Sequence, residues 1–260
     1  MAKAKNNYLN NRDLLAEIHK SKNSYCYYIG EEYAHYDIII QSVEMITEEI
    51  ILKAKQNRVD KTNKKRKEED KNYTPITLDE VLDAELVFRV MNDDHIPDEI
   101  KKNKKVKNNP LKGKVVKLNF NPFKHFIVTE FGLKEVGRSH WTNGLENGEF
   151  SLNHGRLTDK LALMFVKLVE RYSQKGNWRG YTWLDDMRSQ AVMHLVETAL
   201  KFDESKSDNA FSYYTCIVTN SFRGMLNSEN KVATIKNKIM IESGYDPSFD
   251  YQIDYERENN

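Results

Sequence analysis

The most informative stretch of this chain is residues 180–230, GYTWLDDMRSQAVMHLVETALKFDESKSDNAFSYYTCIVTNSFRGMLNSEN. Apolar residues recur every three or four positions in two runs, roughly 183–201 and 209–228, and a short polar connection separates them. This spacing predicts two amphipathic helices. The connection begins with Lys-Phe-Asp at 201–203, and the second predicted helix opens with the aromatic cluster Phe-Ser-Tyr-Tyr at 211–214.

The first of these helices carries two different faces. One face should enter a core because its apolar residues recur at helical spacing: Leu184, Met187, Ala191, Leu195 and Ala199. The other face is a polar stripe whose members follow one another at spacings of four, four and three: Asp186, Gln190, His194 and Glu197. Such a stripe suits either a solvated face or a docking edge for a basic coiled coil.

The second helix combines core residues with aromatic residues that could meet nucleic acid. Helical spacing predicts that several apolar members are buried: Phe211, Tyr214, Val218, Phe222 and Met225. Tyr213 and Ile217 project from a different face. Opening a DNA duplex costs a few kcal/mol per unstacked base, and aromatic rings stabilise single-stranded bases by roughly 1–3 kcal/mol each. Tyr213 and Tyr214 are the best candidates for that contact, with core packing as the alternative for each.

Composition places few limits on function but excludes several classes of protein. The 260 residues can form one large domain or two small ones, and 40 basic residues balance 39 acidic ones. The distant Cys26 and Cys216 indicate reduced thiols in a cytosolic protein. The sequence has no metal-ligand spacing, phosphate-binding loop, nucleophile elbow or apolar run near the roughly 18 residues of a membrane span. We therefore expect neither an enzyme nor a cofactor, a metal or a membrane partner.

Charge is distributed unevenly along the chain. Eight lysines and no acid lie between Lys101 and Lys117, whereas six acids face Arg257 alone between Ile241 and Asn260. A basic middle and an acidic tail suggest two kinds of partner, although a solvated loop and a frayed tail would give the same pattern.

Periodicity predicts further elements on both sides of the central pair. Polar composition predicts an exposed linker at 57–75. A pattern rich in β-branched and aromatic residues predicts short strands at 114–120 and 123–131. Further helices are predicted at 8–20, 36–55, 77–91, from Leu157 (with Thr158 as N-cap) to Tyr172, and over 232–243, where Gly244 ends the last one.

The order of features in 180–230 resembles region 2 of bacterial sigma factors. In that family an acidic, glutamine-containing helix docks on the clamp helices of the largest RNA polymerase subunit. A K-F-D loop and an F-S-x-Y segment follow it, matched here at 201–203 and 211–214. The resemblance implies that the core of RNA polymerase is bound by the polar stripe, Asp186, Gln190, His194 and Glu197.

A closer likeness is to the late-transcription sigma factors of T-even-like bacteriophages. That family has a G-Y-T turn before the docking helix, matched at 180–182, and a similar N-terminal segment, matched at Tyr8, Asn10, Asn11, Leu14 and Leu15. Its members lack the domain that reads the −35 element. The likeness covers about 157–240 and, more weakly, 8–20, so that 24–155 looks like a long insertion.

The resemblance also implies the residues that contact DNA. Recognition and melting of an AT-rich −10-type element would involve Phe211, Tyr213, Tyr214, Ile217, Asn220 and Arg223. Phosphate contacts would come from Lys231, Lys236 and Lys238. Primary sigma factors carry a tryptophan pair where this chain has Ile217 and Val218. Ile217 could still act as an apolar wedge, but melting should be weaker and more dependent on an activator.

The C-terminal tail resembles the end of the same phage family. Those proteins finish in an acidic-aromatic epitope that inserts into a hydrophobic pocket of the DNA sliding clamp, and Ser248–Glu256 is similar in character and place. The resemblance implies that clamp contacts come from Phe249, Tyr251, Ile253 and Tyr255. Such a tail should order on binding.

Together these observations predict a mainly α fold, a sigma region 2-like helical bundle with a long insertion containing minor β structure. The predicted divisions are an N-terminal helical segment at 1–56, an insertion with a small α+β element at 57–156, the region 2-like domain at 157–240 and the tail at 241–260. The expected function is that of a phage late-gene sigma factor in the host cell cytoplasm. Its partners would be host RNA polymerase core, promoter DNA, the phage sliding clamp and a late co-activator. Two alternatives are a general nucleic-acid-binding module that uses the lysine-rich 101–117 and a phage scaffold or assembly protein.

Overall fold

The computed structural model describes residues 9–70, 72–97 and 118–259, which contain seven strands, six α-helices and several short 3-10 helices. Contacts group these residues into two compact units. The sheet unit holds 11–161 and 199–208, and the helical unit holds mainly 162–198 and 209–260. The predicted divisions at 56, 156 and 240 stay a prediction.

A five-stranded mixed sheet organises the sheet unit. Its strands are β1 (Cys26–Tyr28), β2 (Ile38–Ile40), β3 (Val87–Val90), β4 (Lys124–Thr129) and β5 (Gly132–Ser139). The strand order is β1-β5-β4-β3-β2, in which only β2 and β3 run parallel. A separate two-stranded sheet joins β6 (Trp141–Thr142) to β7 (Glu149–Phe150).

The prediction of a mainly α fold is wrong, because this chain is a mixed α/β protein. Two predicted helices contain strands of this sheet instead, although residues 48–55 of the first one are helical. Within 36–55, three consecutive isoleucines form β2, and within 77–91 all four residues of β3 are buried. Ile38 pairs with Phe88 in the parallel register. β-Branched and aromatic residues favour this environment, where they pack on a pleated surface.

The predicted linker at 57–75 is also wrong over most of its length, because the helix α2 (Glu48–Glu69) continues through it. Polar side chains of α2 bond to the main chain of neighbouring segments. Lys61 donates to the carbonyl of Tyr36 at 2.8 Å, and Asn63 both donates to and accepts from the backbone of Ile76 at 3.1 and 2.8 Å. A polar helix is therefore held in place through hydrogen bonds that periodicity does not reveal.

The core of the sheet unit lies between α2 and the sheet. Its buried members are Ile40, Ala54, Val59, Val81, Leu86, Phe88 and Val90. The helix α1 (Asn11–Asn23) confirms the prediction at 8–20 and buries Leu14 and Ile18. The predicted strand at 123–131 is confirmed as β4, whereas the first four residues of the one at 114–120 lie outside the described residues.

Four helices build the helical unit: α3 (Asp159–Ser173), α4 (Leu184–Thr198), α5 (Ala210–Glu242) and α6 (Phe249–Asn259). The first three residues of α3 are grouped with the sheet unit. Thr158 Oγ1 accepts a hydrogen bond from the amide of Leu161 at 3.3 Å, which confirms Thr158 as the predicted N-cap of α3. The ring centroids of Phe165 and Tyr214 lie 4.9 Å apart, and those of Tyr172 and Phe222 lie 5.1 Å apart. These aromatic contacts fix α3 and α5 against each other.

The long helix α5 joins two elements that the sequence predicted separately, 209–228 and 232–243. Asn209 Oδ1 accepts from the amide of Ser212 at 3.0 Å and caps its first turn. At the other end Gly244 has a φ of 78°, and Tyr245 donates its amide to the carbonyl of Met240 at 2.8 Å. This arrangement is a Schellman motif, so the predicted end at Gly244 is confirmed.

No helix of the described residues is both long enough and apolar enough to cross a bilayer. Over the same residues, no group of three or more His, Cys, Asp and Glu side chains is arranged to hold a metal ion.

Candidate functional site

The outer edge of α4 carries the polar stripe that the sequence singled out. Met187, Ala191 and Leu195 are fully buried on the inner face, which orients the helix. On the other side Asp186 and Glu197 are exposed, and Gln190 and His194 are partly exposed. Gln190 Nε2 lies 3.0 Å from His194 Nε2, and since an amide nitrogen only donates, that ring nitrogen accepts. The structure therefore places the four predicted residues along one helix, with two of them hydrogen-bonded.

An exposed methionine belongs to this edge, and sequence reasoning missed it. Met193 is 55% exposed and follows Asp186 by seven residues and Gln190 by three, so it lies within the polar stripe. The spacing was readable in the sequence. Methionine is enriched at protein interfaces because its flexible apolar side chain adapts to a partner's surface. The edge therefore offers carboxylates together with an apolar anchor.

Asp185 forms contacts within the helical unit, unlike its exposed neighbour Asp186 in the polar stripe. It forms an ion pair with Arg188 at 2.7 Å, and Arg188 Nε donates to the buried Ser173 Oγ at 2.8 Å. This chain of contacts links the start of α4 to the end of α3. The adjacent acid is left to face outward.

The connection between α4 and α5 contains the K-F-D segment and belongs to the sheet unit. Phe202 is buried, and its carbonyl accepts from the buried Lys22 Nζ at 2.7 Å. Asp203 closes a turn by accepting from the amide and the hydroxyl of Ser205 at 3.0 and 2.5 Å, contacts that lower the pKa of Asp203 against the opposing effect of its burial. The K-F-D residues thus act as packing and turn-forming groups within their own unit.

The aromatic cluster at the start of α5 divides into buried and accessible rings. Tyr214 is fully buried, with its ring against Phe165, so it lies in the core and is not available to stack on a base. Tyr213 is half-buried, and burial raises its pKa. Phe211 is 38% exposed and Ile217 is partly exposed. Of the two tyrosines that the sequence favoured, only Tyr213 can reach a ligand.

Polar and basic residues form a ridge along one side of α5. Tyr213, Asn220, Lys231 and Lys238 are separated by seven, eleven and seven residues. At 3.6 residues per turn these spacings place all four side chains within about 20° around the helix axis, over a length of about 38 Å. Asn220, Lys231 and Lys238 are exposed. We call these four residues the α5 ridge.

Arg223 and Lys236, the other basic residues predicted to contact DNA, lie outside the α5 ridge. Arg223 is exposed and lies about 60–80° from the ridge, which still allows its long side chain to reach the same ligand. Lys236 is exposed but lies about 140–160° away, on the opposite side of the helix. The three lysines that the sequence grouped together therefore cannot all face one duplex.

The C-terminal tail forms the helix α6, which distributes its apolar residues over two sides. Phe249 and Ile253 are four residues apart and share one side, and Tyr251 and Tyr255 share another. Phe249 and Tyr255 are largely exposed. The amide of Ser248, just before the helix, donates to the buried Asn237 Oδ1 at 3.0 Å and joins the tail to α5.

Comparison with known protein families, with curated proteins and with solved structures finds no match to this chain.

Proposed function

We propose that this protein is a sigma-type transcription initiation factor for late genes of a phage and that it acts in the host cell cytoplasm. The observation that carries the proposal is a pair of exposed surfaces on two helices of one unit. The edge of α4 presents Asp186, Gln190, Met193 and Glu197, and the α5 ridge presents Tyr213, Asn220, Lys231 and Lys238. One surface suits a basic helical partner and the other suits nucleic acid.

The α4 edge would bind the clamp helices of the largest subunit of RNA polymerase. Two carboxylates complement a basic surface and favour rapid, oriented association. Met193 would supply apolar contact area at the centre of the edge, where truncation usually costs most. The buried inner face of α4 keeps the edge rigid, so little ordering is required when the partner binds.

The α5 ridge would hold promoter DNA. Lys231 and Lys238 would neutralise phosphates and give affinity without sequence information. Asn220 has an amide that can read a base edge, and Tyr213 offers a ring on which an unstacked base can stack. With one accessible tyrosine and Ile217 in place of a larger aromatic wedge, this chain should melt DNA weakly and depend on an activator.

The tail would supply that activation by contact with the phage sliding clamp, with a late co-activator as a further partner. Phe249, Tyr251, Ile253 and Tyr255 alternate in sequence, so in an extended segment all four would project from one face, whereas in α6 they occupy two. Insertion into a hydrophobic pocket would therefore require α6 to unwind. Tethering by a DNA-bound clamp would raise the local concentration of the factor at the promoter.

Retention on immobilised core polymerase tests the docking surface. We expect the double variant Asp186→Lys, Gln190→Lys to lose at least tenfold in retention. The matched control is Glu170→Lys, Gln174→Lys, which makes the same charge change at the same spacing on exposed positions at the end of α3. Equal retention of both variants would contradict the proposal.

Run-off transcription tests the proposed initiation at a promoter and its stimulation by the sliding clamp. Core polymerase, this protein and a template with an AT-rich −10 element should give basal transcripts, and the sliding clamp should increase their yield. Deletion of 246–260 should abolish the increase and leave basal initiation intact. Salt-sensitive binding to any DNA without polymerase, and no transcription, would instead indicate a general nucleic-acid-binding module.

A further inference from the structure

The core-facing side of α5 continues beyond the residues that cover it. Its members alternate at spacings of four and three, which is the heptad pattern of a helix that packs on another helix: Tyr214, Val218, Ser221, Met225, Ser228, Val232, Ile235 and Ile239. The first three are buried in the helical unit. The last three are 57%, 57% and 56% exposed. We call Val232, Ile235 and Ile239 the distal stripe.

Three β-branched residues in one line on a solvated helix are costly to leave in water. Removal of apolar surface from water is the main favourable contribution to most protein–protein association, so a partner that covers these side chains is favoured. A strip of two helical turns resembles a short coiled-coil seam, so another helix fits it better than a globular surface does.

Lysines line both sides of the distal stripe. Lys231 and Lys238 lie on one side and Lys236 on the other, all exposed, and in the described part of the chain none of the ion pairs involves them. In heptad terms they occupy the two positions that flank a coiled-coil seam and select its partner. Their common sign calls for a partner with carboxylates at the facing positions.

Charge argues against a second copy of this chain as that partner. In a parallel pair Lys231 would face Lys236 of the other copy, and in an antiparallel pair that joins Val232 to Ile235, Lys231 would face Lys238. Like charges in these positions oppose association. The chain's own tail also leaves the distal stripe uncovered, because its attachment point, Asn237, lies more than 120° around the helix from the centre of the stripe.

We propose that the distal stripe is the docking site for an acidic amphipathic helix of another protein. The partner's apolar seam packs on Val232, Ile235 and Ile239, and its flanking carboxylates pair with Lys231, Lys236 and Lys238. The site stands independently of the function proposed above. Since Lys231 and Lys238 also belong to the α5 ridge, a bound acidic helix competes with any polyanion held there.

Two synthetic helices test the site with the full chain. Both carry leucine and isoleucine at the seam positions over three heptads, one with glutamate at every flanking position and the other with lysine. Fluorescence anisotropy at 50 mM NaCl should show binding of the glutamate helix and at least tenfold weaker binding of the lysine helix. The variant Ile235→Asp, Ile239→Asp should lose at least tenfold for the glutamate helix with an unchanged circular dichroism spectrum, because both positions are exposed.

Charge reversal supplies the decisive control. The triple variant Lys231→Glu, Lys236→Glu, Lys238→Glu should reverse the preference and bind the lysine helix. Equal binding of both helices by the original chain, or no effect of the aspartate variant, overturns the proposal. So does concentration-dependent dimerisation that Ile235→Asp removes, which assigns the stripe to a second copy. A gain of tenfold or more in glutamate-helix affinity on deletion of 246–260 assigns it to the chain's own tail and equally overturns the proposal.

Discussion

Arg89 Nη1 donates to Glu204 Oε2 at 3.0 Å inside the sheet unit, which ties the centre of β3 to the residue that follows K-F-D. The guanidinium carbon of Arg89 lies 3.9 Å from the ring centroids of both Tyr36 and Phe123. The buried Lys22 also reaches Glu204, at 3.3 Å. Burial lowers the pKa of Lys22, and the nearby Glu204 carboxylate opposes that shift. A single carboxylate therefore serves two buried cations.

Replacing that carboxylate should be strongly destabilising. In Glu204→Gln, the buried Arg89 loses its ion-pair partner, so we expect the free energy of unfolding to fall by about 3–5 kcal/mol. Urea denaturation followed by circular dichroism measures it. Asp208→Asn removes an exposed acid from the same connection and should change stability by less than about 0.5 kcal/mol. A loss below about 1 kcal/mol in Glu204→Gln would contradict this account of the pair.

Acid should weaken the sheet unit as the pH falls from 6.5 towards 3. Burial lowers the pKa of His19 and of His140 to about 3. The folded state therefore favours the neutral forms of both rings. Above pH 6.5 these histidines are neutral in the unfolded chain as well, so the full stability is present. As the pH falls towards 3, the histidines take up protons in the unfolded chain first, and the folded state loses stability. At pH 5 each of the two histidines should lower the free energy of unfolding by roughly 2 kcal/mol relative to pH 7.

The variant His140→Phe tests the contribution of one ring. His140 stacks on Phe120 at 4.2 Å, and both of its ring nitrogens are buried without a hydrogen-bond partner, so the replacement keeps the packing and removes the titration. Its φ of 54° makes phenylalanine unfavourable at every pH, so the informative quantity is the stability difference between pH 7 and pH 5. That difference should shrink by roughly 2 kcal/mol. An unchanged difference would mean that His140 is protonated in the folded state.

Gly224, inside α5, and Gly244, just beyond its end, should respond oppositely to replacement by alanine. Gly244 has a φ of 78° in the Schellman motif, so Gly244→Ala should destabilise the helix end by about 1 kcal/mol. Gly224 lies inside the helix, where an added methyl group meets no atom within 4 Å, so Gly224→Ala should stabilise it by about 0.5–1 kcal/mol. Thermal unfolding measures both. A shift of the same sign in the two variants would be inconsistent with these helix boundaries.

Replacement of Tyr213 should affect DNA melting, whereas replacement of the adjacent Tyr214 should affect the stability of the fold. Tyr213→Ala should reduce melting of promoter DNA by about 5- to 150-fold, the equivalent of one stacked base, while the fold persists. Permanganate footprinting of the promoter measures the melted thymines. Tyr214→Ala should instead lower the free energy of unfolding by about 3–5 kcal/mol because it empties the core beside Phe165. Normal melting by Tyr213→Ala would remove Tyr213 from the proposed DNA surface.

The sequence predicts α3, α4 and most of α5, because their apolar residues repeat at helical spacing over long segments, but it does not predict the helix α6 in the tail. The same criterion fails at 36–55, where Ile38 to Ile40 also fit a helix and only pairing with β3, nearly 50 residues away, selects a strand. It fails again in α2, whose polar side chains bond to distant carbonyls.

The candidate site shows the same limit. Periodicity finds the edge of α4, and residue spacing alone separates Lys236 from Lys231 around α5, but whether Tyr214 or Tyr213 is buried depends on which side of α5 meets Phe165.

The continuity of α5 has a mechanical consequence. Its 33 residues, capped at both ends, make a single rod about 50 Å long, with Phe211 near one end and the attachment of the tail near the other. A rod of that length that pivots by 10° about one end displaces the other by about 9 Å. Because the first half of α5 is buried against Phe165, tension on the tail acts on a lever whose fixed end lies in the core of the helical unit.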